Sequence, residues 1–258
     1  MRRLILAVLL LAPLASYAAD QCQYSAPRDL TLDFSGVREV QVELNSHDLH
    51  LSGTDGAKGG ALTGRACASD PKLLDDLTVT QHREGDRLVV EIGGHEHTHI
   101  SFGYSYTGLK VDMQIPSQIP VVLNVGSGDA WVTSLQRLST KVGSGDVHVS
   151  KISGPFALSV GSGDIDVNDV GSLDVGSVGS GDLKISGVRG DARVGSIGSG
   201  DIGIRNVSGS VRVDTLGSGD LVVHDVQGDF TLGAKGSGDV SHSDIKGKVN
   251  VPHDRDDD

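Results

Sequence analysis

Gly198-Ser199-Gly200-Asp201-Ile202-Gly203-Ile204-Arg205-Asn206-Val207-Ser208-Gly209-Ser210-Val211-Arg212-Val213-Asp214-Thr215-Leu216 is one unit of a pattern that recurs along the second half of this chain. Its opening tetrapeptide, Gly-Ser-Gly-Asp, begins at Gly126, Gly143, Gly161, Gly179, Gly198, Gly217 and Gly236, at spacings of 17, 18, 18, 19, 19 and 19 residues. Self-similarity at a near-fixed period is the signature of a stacked architecture. The apolar positions recur with it. Ile202, Ile204, Val207, Val211, Val213 and Leu216 have counterparts in Leu183, Ile185, Val188, Ala192, Val194 and Ile197 one unit earlier. The next unit repeats them with Leu221, Val223, Val226, Phe230 and Leu232. Alternation with period two and β-branched side chains predicts two short strands per unit. Gly154, Gly171, Gly190, Gly209, Gly228 and Gly247 mark the bend between them.

One such unit cannot bury its apolar face alone. Stacking each strand on its copy one unit later, about 4.8 Å away, turns the aliphatic positions into continuous columns. The chain therefore predicts an all-β fold, a parallel β-solenoid (β-helix) with about 18–19 residues per rung. By analogy with coils of irregular rung length, the expected hand is right. A helical reading fails because glycine in a helix interior costs about 1 kcal/mol each. The glycines of Gly-Ser-Gly-Asp are read as supplying positive φ at a corner, and Ser and Asp as bonding nearby backbone amides.

Outward from the repeats the organisation is less regular. Residues 20–120 read as an N-terminal β region and cap, residues 121–251 as the repeat solenoid, and residues 252–258 as an acidic, disordered tail. Strand alternation is visible at Val37–Leu44, Leu77–Thr80, Leu88–Ile92 and Leu109–Ile115, and Ser69-Asp70-Pro71 has the form of a helix start. Residues 1–18 read as a secretory signal. Arg2 and Arg3 precede an apolar run from Leu4 to Leu14, and Ser16-Tyr17-Ala18 offers small residues for cleavage. The run falls short of the roughly 20 residues needed to span a bilayer, so no transmembrane segment is expected after cleavage. Cys22 and Cys67 are the only cysteines. In an oxidising compartment such a pair is expected to close a disulfide. The expected location is periplasmic or extracellular.

Charge excludes some partners. The formal net charge is −12, and it becomes −14 when Arg2 and Arg3 leave with the signal. Nucleic acid demands a basic surface, so it is not an expected partner. Aromatic residues make up only 3% of the chain against 36 glycines, a composition that suits stacked small side chains better than a globular core.

At the segment Lys110-Val111-Asp112-Met113-Gln114-Ile115-Pro116, then Val121-Val122-Leu123-Asn124-Val125, then Gly126 onward, the chain resembles bacterial envelope proteins of a domain-of-unknown-function β-strand-repeat family that carries an adhesin label. The resemblance spans roughly residues 30 to 250 and implies the solenoid and an extracytoplasmic location. It brings no catalytic residues.

Three constellations are candidate sites. The turn acids Asp129, Asp146, Asp164, Asp182, Asp201, Asp220 and Asp239 are expected to stack on one edge. Carboxylates at that spacing repel unless compensated, and either calcium or backbone amides could compensate them. His95, His97 and His99 alternate, so on a strand their imidazoles share a face and could take a transition metal. On a loop after Gly93-Gly94 they are simply solvated. Trp131 falls at an outward position in the first repeat, where it either marks a contact with a sugar or partner or lies under the cap. An enzyme is not expected. Polysaccharide-cleaving coils need paired carboxylates walled by long insertions, and these repeats differ in length by at most two residues. The repeat serines lack an adjacent His base, and no phosphate-binding loop is present. The leading expectation is a non-catalytic exported scaffold or adhesin that offers a flat face to a protein or surface polymer, with self-association possible. A metal-binding envelope protein comes second and a glycan-active enzyme third. No cofactor is expected other than calcium or a transition metal at these residues.

Overall fold

The computed structural model describes residues 22–56, 59–94 and 105–252. The signal segment, His95, His97, His99 and the tail beyond Pro252 lie outside the described residues. Before the repeats the chain forms β1 (Tyr24–Pro27), β2 (Leu30–Leu32), β3 (Glu39–Leu44), β4 (Asp48–Thr54), β5 (Gly60–Ala68), the single-turn helix α1 (Pro71–Asp76), β6 (Val79–Glu84), β7 (Arg87–Ile92) and β8 (Thr107–Pro116). The repeats supply β9 (Val121–Val125), β10 (Ala130–Thr133), β11 (Leu138–Val142), β12 (Val147–Val160) and β13 (Ile165–Val178). Then follow β14 (Leu183–Val188), β15 (Ala192–Ile197), β16 (Ile202–Val207), β17 (Val211–Leu216), β18 (Leu221–Val226), β19 (Phe230–Lys235), β20 (Val240–Ile245) and β21 (Val249–Asn250).

From β9 onward every strand pairing is parallel. The chain is a parallel β-solenoid. Strands that follow a Gly-Ser-Gly-Asp turn, continued by β4 and β8, form a front sheet in the order β8–β4–β10–β12–β13–β14–β16–β18–β20. Strands that precede the turn form a back sheet, β7–β3–β9–β11–β12–β13–β15–β17–β19–β21. The long strands β12 and β13 run round the bend and belong to both. Inward side chains of the two sheets meet in one core whose columns repeat by rung. One column reads Met113, Leu51, Val132, Val149, Val167, Ile185, Ile204 and Val223, all buried. At the far end His242 takes the same register.

The rungs are not stacked in chain order. β3 and β4 form a rung lying between β7–β8 and β9–β10. The turn of that rung is Asn45-Ser46-His47-Asp48, which sits over Gly126-Ser127-Gly128-Asp129. Parallel pairing therefore runs through residue 120 without a break. Beyond the β7–β8 rung the direction reverses. β6 pairs antiparallel with β7, β5 pairs antiparallel with β8, and β1 and β2 pair antiparallel with β5. These strands cover the outermost edges at that end, where bare ladder groups would invite other chains. The Cys22–Cys67 disulfide ties the start of the described chain to β5. Asp70 caps α1 by accepting from the Lys72 amide, and Arg28 donates to the carbonyls of Leu74 and Leu77.

The glycine roles differ from the expectation of positive φ in the turn. Among the described glycines only Gly36, Gly56, Gly85, Gly93 and Gly187 have positive φ, and none belongs to a Gly-Ser-Gly-Asp turn. What the turn glycines supply is room. A Cβ on Gly145, Gly163, Gly181, Gly200, Gly219 or Gly238 would come within 1.8–2.0 Å of a carbonyl oxygen in the rung before. The left-handed position lies at the opposite edge, where Ser134, Lys151, Asp169, Gly187, Asn206, Asp225 and Asp244 stack one per rung with φ between 53° and 74°. Asp and Asn tolerate that region better than most residues, so only one rung uses glycine there.

Candidate binding face

The turn acids form the ladder expected of them, and backbone amides occupy it. Oδ1 of Asp129 accepts from the amide of Asp146 at 3.2 Å, Asp146 from Asp164 at 3.1 Å, and Asp164 from Asp182 at 3.2 Å. The same bond joins Asp182 to Asp201, Asp201 to Asp220 and Asp220 to Asp239. Six of the seven carboxylates, all but Asp239, thus satisfy a donor at the start of the next front strand, a role for Asp at this position that needs no ligand. Among the described residues no group of three or more His, Cys, Asp or Glu is arranged to hold a metal ion.

Trp131 is 38% exposed on the outer face of the front sheet. The register of five strands places it in the middle of a row that reads Asp112, His50, Trp131, His148, Asp166 across β8, β4, β10, β12 and β13. His50 meets the indole edge-on with centroids 4.7 Å apart, and His148 stacks beside it at 5.7 Å. Each imidazole turns Nδ1 to the carboxylate at its outer side. The distances are 3.5 Å from His50 to Asp112 and 3.1 Å from His148 to Asp166. Two residues further along the same strands lies a second row, Gln114, Ser52, Thr133, Ser150 and Asn168. Ser150 donates to Thr133 at 3.0 Å. Between the rows runs an open trough of about 510 Å³.

The hydroxyl bonds of the second row run from Ser150 to Thr133 and between Thr133 and Ser134, and neither leads to an imidazole. The trough has an aromatic wall, hydrogen-bonding rims and no covering loop among the residues that line it. Of this row, exposure singles out Trp131 from sequence. His148 and Asp166 follow from adding one repeat and then another to position 131. His50 and Asp112 carry no such signal, because their rungs reach this place by threading and not by period.

The back sheet is different. On its outer surface Asp214 receives Arg193 at 2.7 Å and Arg212 at 2.8 Å. The hydrogen bond from Arg193 is the main cause that holds the Asp214 carboxyl below the usual carboxylate range. The Asp214 pairing raises Arg193 in turn.

The model of the Toastrack DUF4097 family matches residues 37–251 of the chain. No curated protein matches it. Among solved structures, a protein described as a "putative lipid binding protein" from Parabacteroides distasonis is 20% identical, with 88% of this chain and 97% of that chain covered and a TM-score of 0.46. A "putative adhesin" from the same organism is 16% identical over 85% of this chain and 97% of that one, with a TM-score of 0.47. Another "putative adhesin", from Parabacteroides merdae, is 14% identical over 89% and 97%, with a TM-score of 0.44.

Proposed function

The chain belongs to the Toastrack DUF4097 family, and from that premise we propose that it is an exported, non-catalytic envelope protein whose solenoid displays the outer face of its front sheet to a protein or surface polymer. The observation that carries the proposal is the exposed Trp131, bracketed by His50 and His148 among polar neighbours on an open sheet face. An indole so placed offers apolar area at the centre of a polar surface, the arrangement that partner contacts favour. Export is supported by the signal-like residues 1–18 and by the Cys22–Cys67 disulfide, a bond that oxidising compartments favour. No helix among the described residues is long and apolar enough to cross a membrane. In this reading residues 20–120 build the covered end, residues 121–251 the displayed coil, and residues 252–258 an acidic tail.

A photo-crosslinking amino acid placed at residue 131 in the native envelope tests the proposal, with the same probe at Ser139 on the back sheet as control. The expected result is a discrete adduct from position 131 and none from position 139. Equal labelling from both faces, or none from 131, would overturn it.

A further inference from the structure

The charge around the trough says more about its occupant. The acidic lining side chains are Asp112 and Asp166, and neither lysine nor arginine lines the trough. Asp112 and Asp166 close its two ends. Two residues back towards the turns lie Asp48, Asp129, Asp146 and Asp164. Lys110 is the only lysine in that adjoining row beside the trough, and it stands 4.0 Å from Asp48. The next strand out, β14, adds Lys184 beside Asp166. The second row offers acceptors in Ser52, Thr133 and Ser150. A cation entering the trough meets an aromatic wall, carboxylates and hydroxyl oxygens, the combination that binds ammonium and guanidinium groups. An anion meets like charge.

Resting on the display reading above, we infer that the partner of this face is a protein segment bearing a strip of lysine or arginine side chains, and that His50 and His148 make its docking acid-labile. The row crosses five strands, about 19 Å at the inter-strand spacing. That is longer than a single small cation and matches an extended segment carrying several. Imidazoles gain their positive charge between about pH 8 and pH 5. When they do, two cations flank Trp131, the row Asp112 to Asp166 becomes neutral, and the bound side chains meet repulsion within one strand spacing. Release then follows acidification.

The test measures binding of a fluorescent Arg/Gly decapeptide to purified mature protein at low salt, against an Asp/Gly decapeptide and an uncharged hexasaccharide. The basic peptide is expected to bind, with affinity about tenfold lower at pH 5 than at pH 7.5. Trp131→Ala is expected to weaken it about tenfold at pH 7.5. The pair His50→Gln and His148→Gln is expected to abolish the pH dependence. Asp112→Asn with Asp166→Asn is expected to reduce binding, whereas Asp220→Asn with Asp239→Asn, the same charge change elsewhere on the coil, leaves it in place. Equal losses from both Asp pairs would overturn the inference, since binding would then follow net charge alone. Binding of the hexasaccharide or the acidic peptide in preference would also overturn it, while leaving the display reading intact. If no probe binds, crosslinks from position 131 separate the two: adducts preserve display and refute the cationic partner, and their absence refutes both.

Discussion

Replacing Gly200 by alanine isolates the claim that the turn glycines provide room. A Cβ at Gly200 lies 2.0 Å from the Gly181 carbonyl oxygen, 2.9 Å from its carbon and 3.1 Å from its nitrogen. All three contacts are backbone, so no side-chain rotation relieves them. Moving the rungs apart by more than an ångström loosens the bonds on either side. These are Ser199 to Gly179, Leu183 to Asp201 and Asp201 to the Asp182 carboxylate, at 2.8, 2.9 and 3.2 Å. Three bonds at about 1 kcal/mol net each, plus overpacking of about 1–3 kcal/mol, give a loss of about 4 kcal/mol after partial relaxation. Gly203→Ala is the matched control, because nothing lies within 4 Å of its Cβ. It is expected to stay within about 1 kcal/mol of the parent, on the stabilising side. Urea unfolding followed by circular dichroism, with hydrogen exchange read at the rungs on either side, measures both. Steric demand also requires Gly200→Asn to be no better than alanine, whereas a demand for positive φ would let asparagine rescue. A Gly200→Ala midpoint no lower than that of Gly203→Ala, or a rescue by asparagine, refutes the reasoning.

The opposite behaviour is expected at Gly187, where φ is +74° and the neighbouring rungs hold Asp169 and Asn206. Gly187→Asn is expected to cost under about 1 kcal/mol and Gly187→Val about 1–3 kcal/mol, by the same urea measurement. Thr140 is buried in a back-sheet column, and its Oγ1 has no partner among the described residues. Thr140→Val is expected to stabilise by about 1–2 kcal/mol and to raise the melting temperature. Cys67→Ser opens the link to Cys22 across 45 residues. It is expected to cost about 2–4 kcal/mol, and hydrogen exchange should place the added opening in β1 and β5 and not in the repeats. Asp214 has a folded pKa below its unfolded one, so its pairing stabilises above the unfolded carboxylate range and fades as pH falls below about 4. A flatter stability–pH profile between about pH 4 and pH 2 is expected for Asp214→Asn; an unchanged profile contradicts that assignment.

The parallel coil was legible because one property of the chain is periodic. Ile202 and Ile204 fall where Leu183 and Ile185 fall, and the observed registers pair those residues. The helix at Pro71 was legible from its cap alone. The threading of β3–β4 was not, because Asn45-Ser46-His47-Asp48 keeps only Ser and Asp of the repeated turn and pairs with a partner 81 residues away. The turn glycines were placed correctly but explained by dihedral freedom, since sequence shows that a side chain is absent without showing what occupies its space. The binding row mixes both cases. Its Trp131–His148–Asp166 half follows the period, and its His50–Asp112 half is created by the threading.

Because each rung between β14 and β19 touches only the rungs beside it, the distance from Trp131 to the far tip is a count of interchangeable units. Deleting Gly198–Leu216 as a block would bring that tip closer by about one 4.8 Å step and leave the indole's neighbours untouched. The coil is in effect a graduated spacer: its reach can be lengthened or shortened in whole steps while the chemistry at its covered end stays fixed.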